Sequence, residues 1–158
     1  MIEAGDVAPD FTVPLADGSI SSFTLSENLD KAPLVLAFFP AAFSGTCTTE
    51  MVKFDGMLDQ FGRLGATLYG ASVDSPYCLN AFRDKEELKV QILSDFDREV
   101  IQAYDVVTDI ESKGLHGLAS RSVFIIDQDQ TVKYAWRCDD LGEEPDYEKI
   151  RETAANLA

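Results

Sequence analysis

An unbroken apolar run, residues 33–39 (Pro33-Leu34-Val35-Leu36-Ala37-Phe38-Phe39), limits the fold more than any other feature. A strand with one wet face alternates apolar and polar residues, whereas a strand without alternation is buried on both faces. Such a strand lies inside a sheet that carries a layer on each side. Residues 67–73 read the same way, residues 90–93 form a shorter strand, and residues 122–126 another. Helical spacing fills the gaps. Residues 47–61 place Met51, Phe54, Leu58 and Phe61 on one side. Ser75-Pro76 starts a helix reaching Leu88, with proline in the first turn. Asp97 is expected to cap a helix ending near Tyr104. Residues 111–120 read as a Gly-containing loop. Upstream, Phe11, Val13 and Leu15 alternate before an Asp17-Gly18 turn, and residues 19–25 return as the second arm of a hairpin. Downstream, residues 131–137 pair back on 122–126, and residues 146–157 close the chain as a helix. This order predicts an α/β fold: a mixed central sheet flanked by helices, with an N-terminal β-hairpin. At 158 residues the chain is expected to form a single domain, residues 1–158.

Charge narrows the function. Lys+Arg number 13 against 28 Asp+Glu, a formal net charge of −15. Such a surface repels nucleic acid and anionic lipid, so neither is an expected partner. The acid is spread along the chain, as in Asp139-Asp140 and Glu143-Glu144. That spread fits a protein working in high salt, where screening removes self-repulsion, or an ordinary acidic cytosolic protein. No apolar run approaches the roughly 20 residues that cross a bilayer. The first residues carry acid and no apolar core, unlike a secretory signal, so the expected location is cytoplasmic.

The chain has 3 cysteines, Cys47, Cys78 and Cys138. Their spacing fits no Cys-x-x-Cys pair and no zinc pattern, and the lone His116 argues against a His-rich metal site. Thiol chemistry is therefore expected in place of a disulfide framework. Cys47 follows the 33–39 strand across a short loop and stands where a helix begins. Ligand sites in open α/β sheets lie beyond the carboxyl ends of the strands. A helix N-terminus presents unpaired N–H groups and partial positive charge, which favour a thiolate. A buried, inert thiol is the commoner fate of a free cysteine. The small, polar neighbours Ser44, Gly45, Thr46, Thr48 and Thr49 set Cys47 apart. Pro40 ends the strand, removes a backbone donor and walls one side of the sulfur. Ser44 can share a small pocket with Cys47. Arg121 opens the 122–126 strand and needs an anion or solvent. A Cys47 thiolate is one such anion, and Glu50, one turn along, can orient the guanidinium; a surface salt bridge is the other reading.

Together these residues resemble a known family. Pro40-x-x-x-Ser44-x-x-Cys47 is similar to the peroxiredoxin active-site motif, and Cys47-Thr48-Thr49-Glu50 to its continuation. Ala8-Pro9-Asp10-Phe11 resembles the family's N-terminal segment, and Arg121-Ser122-Val123-Phe124-Ile125-Ile126-Asp127 its arginine-bearing strand. The wording is most similar to the one-cysteine alkyl hydroperoxide reductase E-like group and then to the bacterioferritin-comigratory-protein-like group. The resemblance implies a thioredoxin-like fold and a thiol-dependent peroxidase reducing hydrogen peroxide and organic hydroperoxides through a Cys47 sulfenic acid. It implies Arg121, Ser44 and the Cys47 N–H as donors to the peroxide, Pro40 as a shield and Glu50 as support. It implies no metal and no organic cofactor. A homodimer is expected, with Phe38, Phe39 and Phe43 lining an apolar entrance or the dimer contact. Tyr134 and Trp136 read as packing or dimer surface.

Recycling needs a second thiol. Position 52, where one group carries a resolving cysteine, is Val52; Cys138 ends the last strand, and the tail Asn156-Leu157-Ala158 carries no thiol. The candidates are an external thioredoxin-like or low-molecular-weight thiol, Cys78, or Cys138. The expected mechanism is one-cysteine with an external reductant. The alternatives are an atypical two-cysteine enzyme using Cys78 and a peroxide-sensing relay using the same Cys47. A disulfide reductase would need a cysteine where Glu50 stands, and a hydrolase pairing Cys47 with His116 has nothing to bring the two together.

Overall fold

A computed structural model describes residues 1–158. The 33–39 run becomes β3 (Leu34–Phe38), buried along its whole length. It pairs in parallel with β4 (Thr67–Ser72) and antiparallel with β8 (Ser122–Ile126). The flanking strands are β5 (Gln91–Ser94), the hairpin β1 (Thr12–Ala16) and β2 (Ile20–Thr24), and β9 (Val132–Arg137). The sheet has 7 strands in the order β2-β1-β5-β4-β3-β8-β9. The pairs β1-β2, β1-β5, β3-β8 and β8-β9 are antiparallel, and β3-β4 and β4-β5 are parallel.

Period-two alternation divides β3 between two cores. Leu34, Leu36 and Phe38 enter one cluster with Tyr69, Tyr104 and Phe124. Val35, Ala37 and the following Phe39 enter the other with Met51, Phe54, Phe82 and Ile150. The second face is covered by α1 (Gly45–Asp55), α2 (Leu58–Arg63), α3 (Pro76–Lys85) and α5 (Tyr147–Leu157). The first carries α4 (Glu99–Ala103). Gly70 of β4 permits the close approach of α1, because a Cβ there would stand 2.9 Å from Met51 Sδ. No helix is long and apolar enough to cross a membrane.

Several expectations change in detail. The 47–61 helix is two helices, since the chain turns at Gly56-Met57. Asp55 locks that break by accepting the N–H groups of Lys89 (2.7 Å) and Val90 (2.8 Å). The 75–88 helix stops at Lys85. Asp97 does not cap α4; Asp95 accepts the N–H groups of Val100 (3.1 Å) and Ile101 (2.8 Å) instead. Half of the 111–120 loop is strand. β6 (Val107–Ile110) and β7 (Leu115–Ala119) form a separate two-stranded ribbon. Only Leu118 and Ala119 of β7 are buried, so the ribbon lacks the apolar run that marks a core strand.

Candidate active site

Pro40, Ser44 and Cys47 lie in the loop and first turn that follow β3, at its carboxyl end. Pro40 is buried. Ser44 is the residue before α1, and its hydroxyl donates to the Ala41 carbonyl at 2.9 Å, so the helix has no side-chain cap. The first-turn N–H groups around Cys47 are thereby left without a side-chain acceptor. Ser44 is exposed, three residues before Cys47, and its hydroxyl is engaged by the loop carbonyl. Phe43 adopts a left-handed backbone (φ 71°) to make this corner. Of the three phenylalanines expected at the entrance, Phe38 and Phe39 are core residues on opposite faces, and Phe43 alone is exposed. Its ring stacks edge-on against Phe82 with Lys85 over it.

Cys47 is buried, and Arg121 meets it there. The Arg121 side chain is only 2% exposed and spends its donors on three partners. Nη2 donates to Cys47 Sγ (3.5 Å), and Nη1 to Glu50 Oε1 (2.8 Å). Nε and Nη2 both donate to the Leu141 carbonyl (3.1 and 2.8 Å). The surface-salt-bridge reading of Arg121 is thus replaced by a fully desolvated pair with Glu50. Burial pushes the Glu50 carboxyl up to about 7 against the pull of the Arg121 charge, and its Oε2 has no partner. Carboxylate and sulfur from α1 converge with a guanidinium from the residue just before β8, 71 and 74 residues away in sequence.

The other cysteines are free thiols. Cys78 stands in the first turn of α3, half-buried, with its pKa raised by burial and by the charge of Asp74. Cys138 follows β9, buried, with Sγ 3.7 Å from Ser120 Oγ. His116 is exposed on β7, and its Nδ1 lies 3.7 Å from both Asp109 and Glu111. These three residues form an exposed surface group on the ribbon. Tyr134 and Trp136 are half-buried and pack on the cluster that holds Cys47.

Two contributors carry no mark of their role in the amino-acid sequence. One is the Leu141 carbonyl, a main-chain group that no side-chain pattern marks. The other is Asp74, which follows β4 and accepts the Ala42 N–H (2.8 Å) and the Ser72 hydroxyl (2.7 Å). It ties the loop carrying Pro40 and Ser44 to the neighbouring strand.

Residues 4–135 match the model of the AhpC/TSA family. A putative peroxiredoxin of Mycobacterium tuberculosis is 35% identical over 133 residues, 83% of this chain and 82% of that protein. A putative peroxiredoxin bcp of Coxiella burnetii is 31% identical over 137 residues, 85% of this chain and 88% of that one. The crystal structure of peroxidoxin BcpB from M. tuberculosis superposes with a TM-score of 0.86 at 25% identity, covering 100% of this chain and 99% of that one. A sulfur beyond a central strand, an arginine donating to it and this breadth of likeness have one explanation: the chain belongs to the AhpC/TSA family, as a peroxiredoxin of the bacterioferritin-comigratory-protein type. It is a thiol-dependent peroxidase on a thioredoxin-like fold, with a peroxide as substrate and a thiol as reductant.

Proposed function

We propose that this enzyme is a one-cysteine peroxidase in which Cys47 attacks the peroxide and an external thiol restores it. The observation that carries this reading is the Arg121 fork, anchored on Glu50 and Leu141 with one N–H left on the sulfur. The Cys47 thiolate attacks the terminal oxygen of ROOH. The S–O bond forms as the O–O bond breaks, the sulfur becomes a sulfenic acid, and RO⁻ leaves and takes a proton. Negative charge moves from sulfur to oxygen, and preorganised donors at that point supply a large share of catalysis. Arg121 and the Cys47 N–H are those donors. Ser44 joins them when its hydroxyl rotates away from Ala41, and Pro40 shields the product. An external thiol then displaces water from the sulfenic acid, and a second thiol releases Cys47 as the reductant leaves as a disulfide.

Two observations support an external thioredoxin-like or low-molecular-weight thiol. Cys78 is held in its protonated form by burial and Asp74, which makes it a slow attacker, and Cys138 is buried. The two-cysteine alternative keeps one observation in its favour: α3 starts at the same sheet end as α1, with Cys78 only half-buried. Phe43, Tyr77 and Phe96 are exposed after the ends of β3, β4 and β5, an apolar rim that a second copy would cover, so we place the single domain in a homodimer. Three free thiols suit a reducing compartment such as the cytoplasm.

Mass spectrometry after one equivalent of peroxide tests the cycle. A Cys47 sulfenic acid that persists until thiol is added is the expected product. A peptide linking Cys47 to Cys78 would establish the two-cysteine cycle instead. A sensor would oxidise as fast yet turn over poorly with every small thiol.

A further inference from the structure

Residues 138–146 run from the end of β9 to the start of α5 and form a strap across Arg121. The strap holds that residue at both ends. Its first amide, Cys138 N–H, donates to the Arg121 carbonyl at 2.9 Å, and its Leu141 carbonyl takes two bonds from the guanidinium. Inside the strap, Asp140 accepts the Gly142 N–H (2.7 Å) and Glu143 the Asp139 N–H (3.0 Å), while Pro145 is buried. Its far end is fastened by Glu144. Glu144 Oε1 accepts the Lys53 ammonium (2.9 Å) and the Tyr147 hydroxyl (2.7 Å). The Tyr147 ring packs edge-on against Phe54, and Lys53 lies 5.3 Å above it.

Lys53 and Phe54 belong to α1, the helix that carries Cys47 and Glu50. The contacts therefore close a circuit: α1 to Lys53, Glu144 and the strap, then Leu141, Arg121 and back to Cys47. We propose that Glu144 and Tyr147 are positioning residues for the peroxidase reaction, acting through the Leu141 carbonyl to fix the plane of the Arg121 fork. The inference rests on the peroxidase reading of Cys47.

The geometry gives the reason. Held by Glu50 alone, the guanidinium would be tethered at Nη1 and free to pivot about that contact. The Leu141 carbonyl takes Nε and Nη2 together, so the rigid fork has its two edges fixed and the remaining Nη2 direction is aimed at the sulfur. A small misaim there costs rate steeply, because the donor must meet the oxygen where charge develops. The Lys53–Glu144 pair itself is half-exposed, so it adds little to stability, and its removal leaves the fold in place.

The test compares two reactions of Cys47 in the unmodified protein, Tyr147→Phe, Glu144→Ala and the double variant. One is oxidation by hydrogen peroxide; the other is alkylation by iodoacetamide, which places no charge on a bound oxygen. Tyr147→Phe keeps the ring on Phe54 and loses only the hydroxyl. Peroxide oxidation should fall about tenfold in each single variant, while alkylation stays within about twofold and the melting temperature holds. The double variant should be no slower than Glu144→Ala, since both changes cut one link. Peroxide rates within about twofold of the unmodified protein, or both reactions falling together, would overturn the positioning role. An unmodified protein that meets peroxide no faster than free cysteine would overturn the peroxidase reading itself, and the strap's role with it.

Discussion

Cys47 and Cys78 hold the same place in two helices. Each is the third residue of its helix, each stands behind a serine, and the helices follow the parallel strands β3 and β4. Their surroundings differ in two respects. Ser75 caps α3 by accepting the Cys78 N–H at 3.2 Å, whereas Ser44 gives its hydroxyl to Ala41 and leaves the start of α1 uncapped. The charge beside Cys47 is the Arg121 guanidinium, brought from the residue before β8, whereas the charge beside Cys78 is the Asp74 carboxylate, which after burial raises its pKa. A helix N-terminus is thus common to both cysteines and distinguishes neither. In the proposed cycle, the charge that another element delivers and the uncapped first-turn amides are what set Cys47 apart as the attacking sulfur, while burial and Asp74 raise the pKa of Cys78.

Removing the charge on the Cys47 side should have the largest effect. Arg121→Gln keeps much of the side chain's bulk and loses the cation. The second-order rate of Cys47 oxidation should drop about 10²–10³-fold, the range found for a lost charge-stabilising donor. Stopped-flow fluorescence or competition kinetics would measure it, and a loss smaller than about fivefold would separate Arg121 from the chemistry.

The Glu50 partner should appear in stability. Its carboxyl titrates near 7 when folded against 4.5 as the ordinary value. A raised carboxyl binds its proton more tightly in the folded state. The associated stability is fully present below the ordinary value and is lost as pH rises toward 7, at a cost of at most about 3 kcal/mol. Urea unfolding at pH 5 and pH 8 should therefore show a smaller pH difference in Glu50→Gln than in the unmodified protein. An equal difference would mean that Arg121 holds Glu50 ionised throughout this range.

Much of this was legible in the amino-acid order. The uninterrupted apolar run at 33–39 could only be a central strand, and the order of strands and helices followed from it. Cys47, Arg121 and Glu50 were legible as candidates because each is a costly residue beside an apolar segment. Their convergence came from the family motif; spacing alone left Arg121 equally at home on the surface. Three features were hidden for physical reasons. The β6-β7 ribbon is mostly exposed, so it carries no apolar signature. The capping of α4 depends on Asp95 and a left-handed Arg98, and three acidic residues within reach gave Asp97 as plausible a claim. The Leu141 carbonyl is backbone, and every residue has one. Ser44 shows the limit from the other side: its type and spacing fit the motif, but its hydroxyl bonds the Ala41 carbonyl, an acceptor that residue type does not mark.

The caps offer a smaller and cleaner contrast. Ser75→Ala removes a side-chain bond to the α3 amide and should cost about 1 kcal/mol of unfolding free energy. Ser44→Ala removes a bond to a loop carbonyl and no cap, so it should cost no more than a few tenths of a kcal/mol while slowing peroxide oxidation. Denaturant titration of both variants checks the order. If Ser44→Ala proved the more destabilising, the uncapped start of α1 would be disproved in solution.

Asp74 raises the Cys78 pKa and also accepts an amide of the loop that leads to Cys47, so Asp74→Asn should produce the smallest change and the most specific one. Neutralising it removes the second cause of the raised Cys78 pKa and leaves burial, the larger cause, in place. The pKa should fall only part of the way, and Cys78 alkylation near pH 8 should quicken by about two- to threefold. On the other side, the same carboxylate accepts the Ala42 N–H and the Ser72 hydroxyl. The neutral amide keeps one acceptor oxygen but weakens a charge-assisted bond to the loop that carries Pro40 and Ser44, so Cys47 oxidation should slow by a similar factor. Rates followed cysteine by cysteine with isotope-coded alkylation should therefore diverge. If both thiols shifted in the same direction, Asp74 would be acting through general loosening of the sheet end, and the opposed charges would not be what separates the two cysteines.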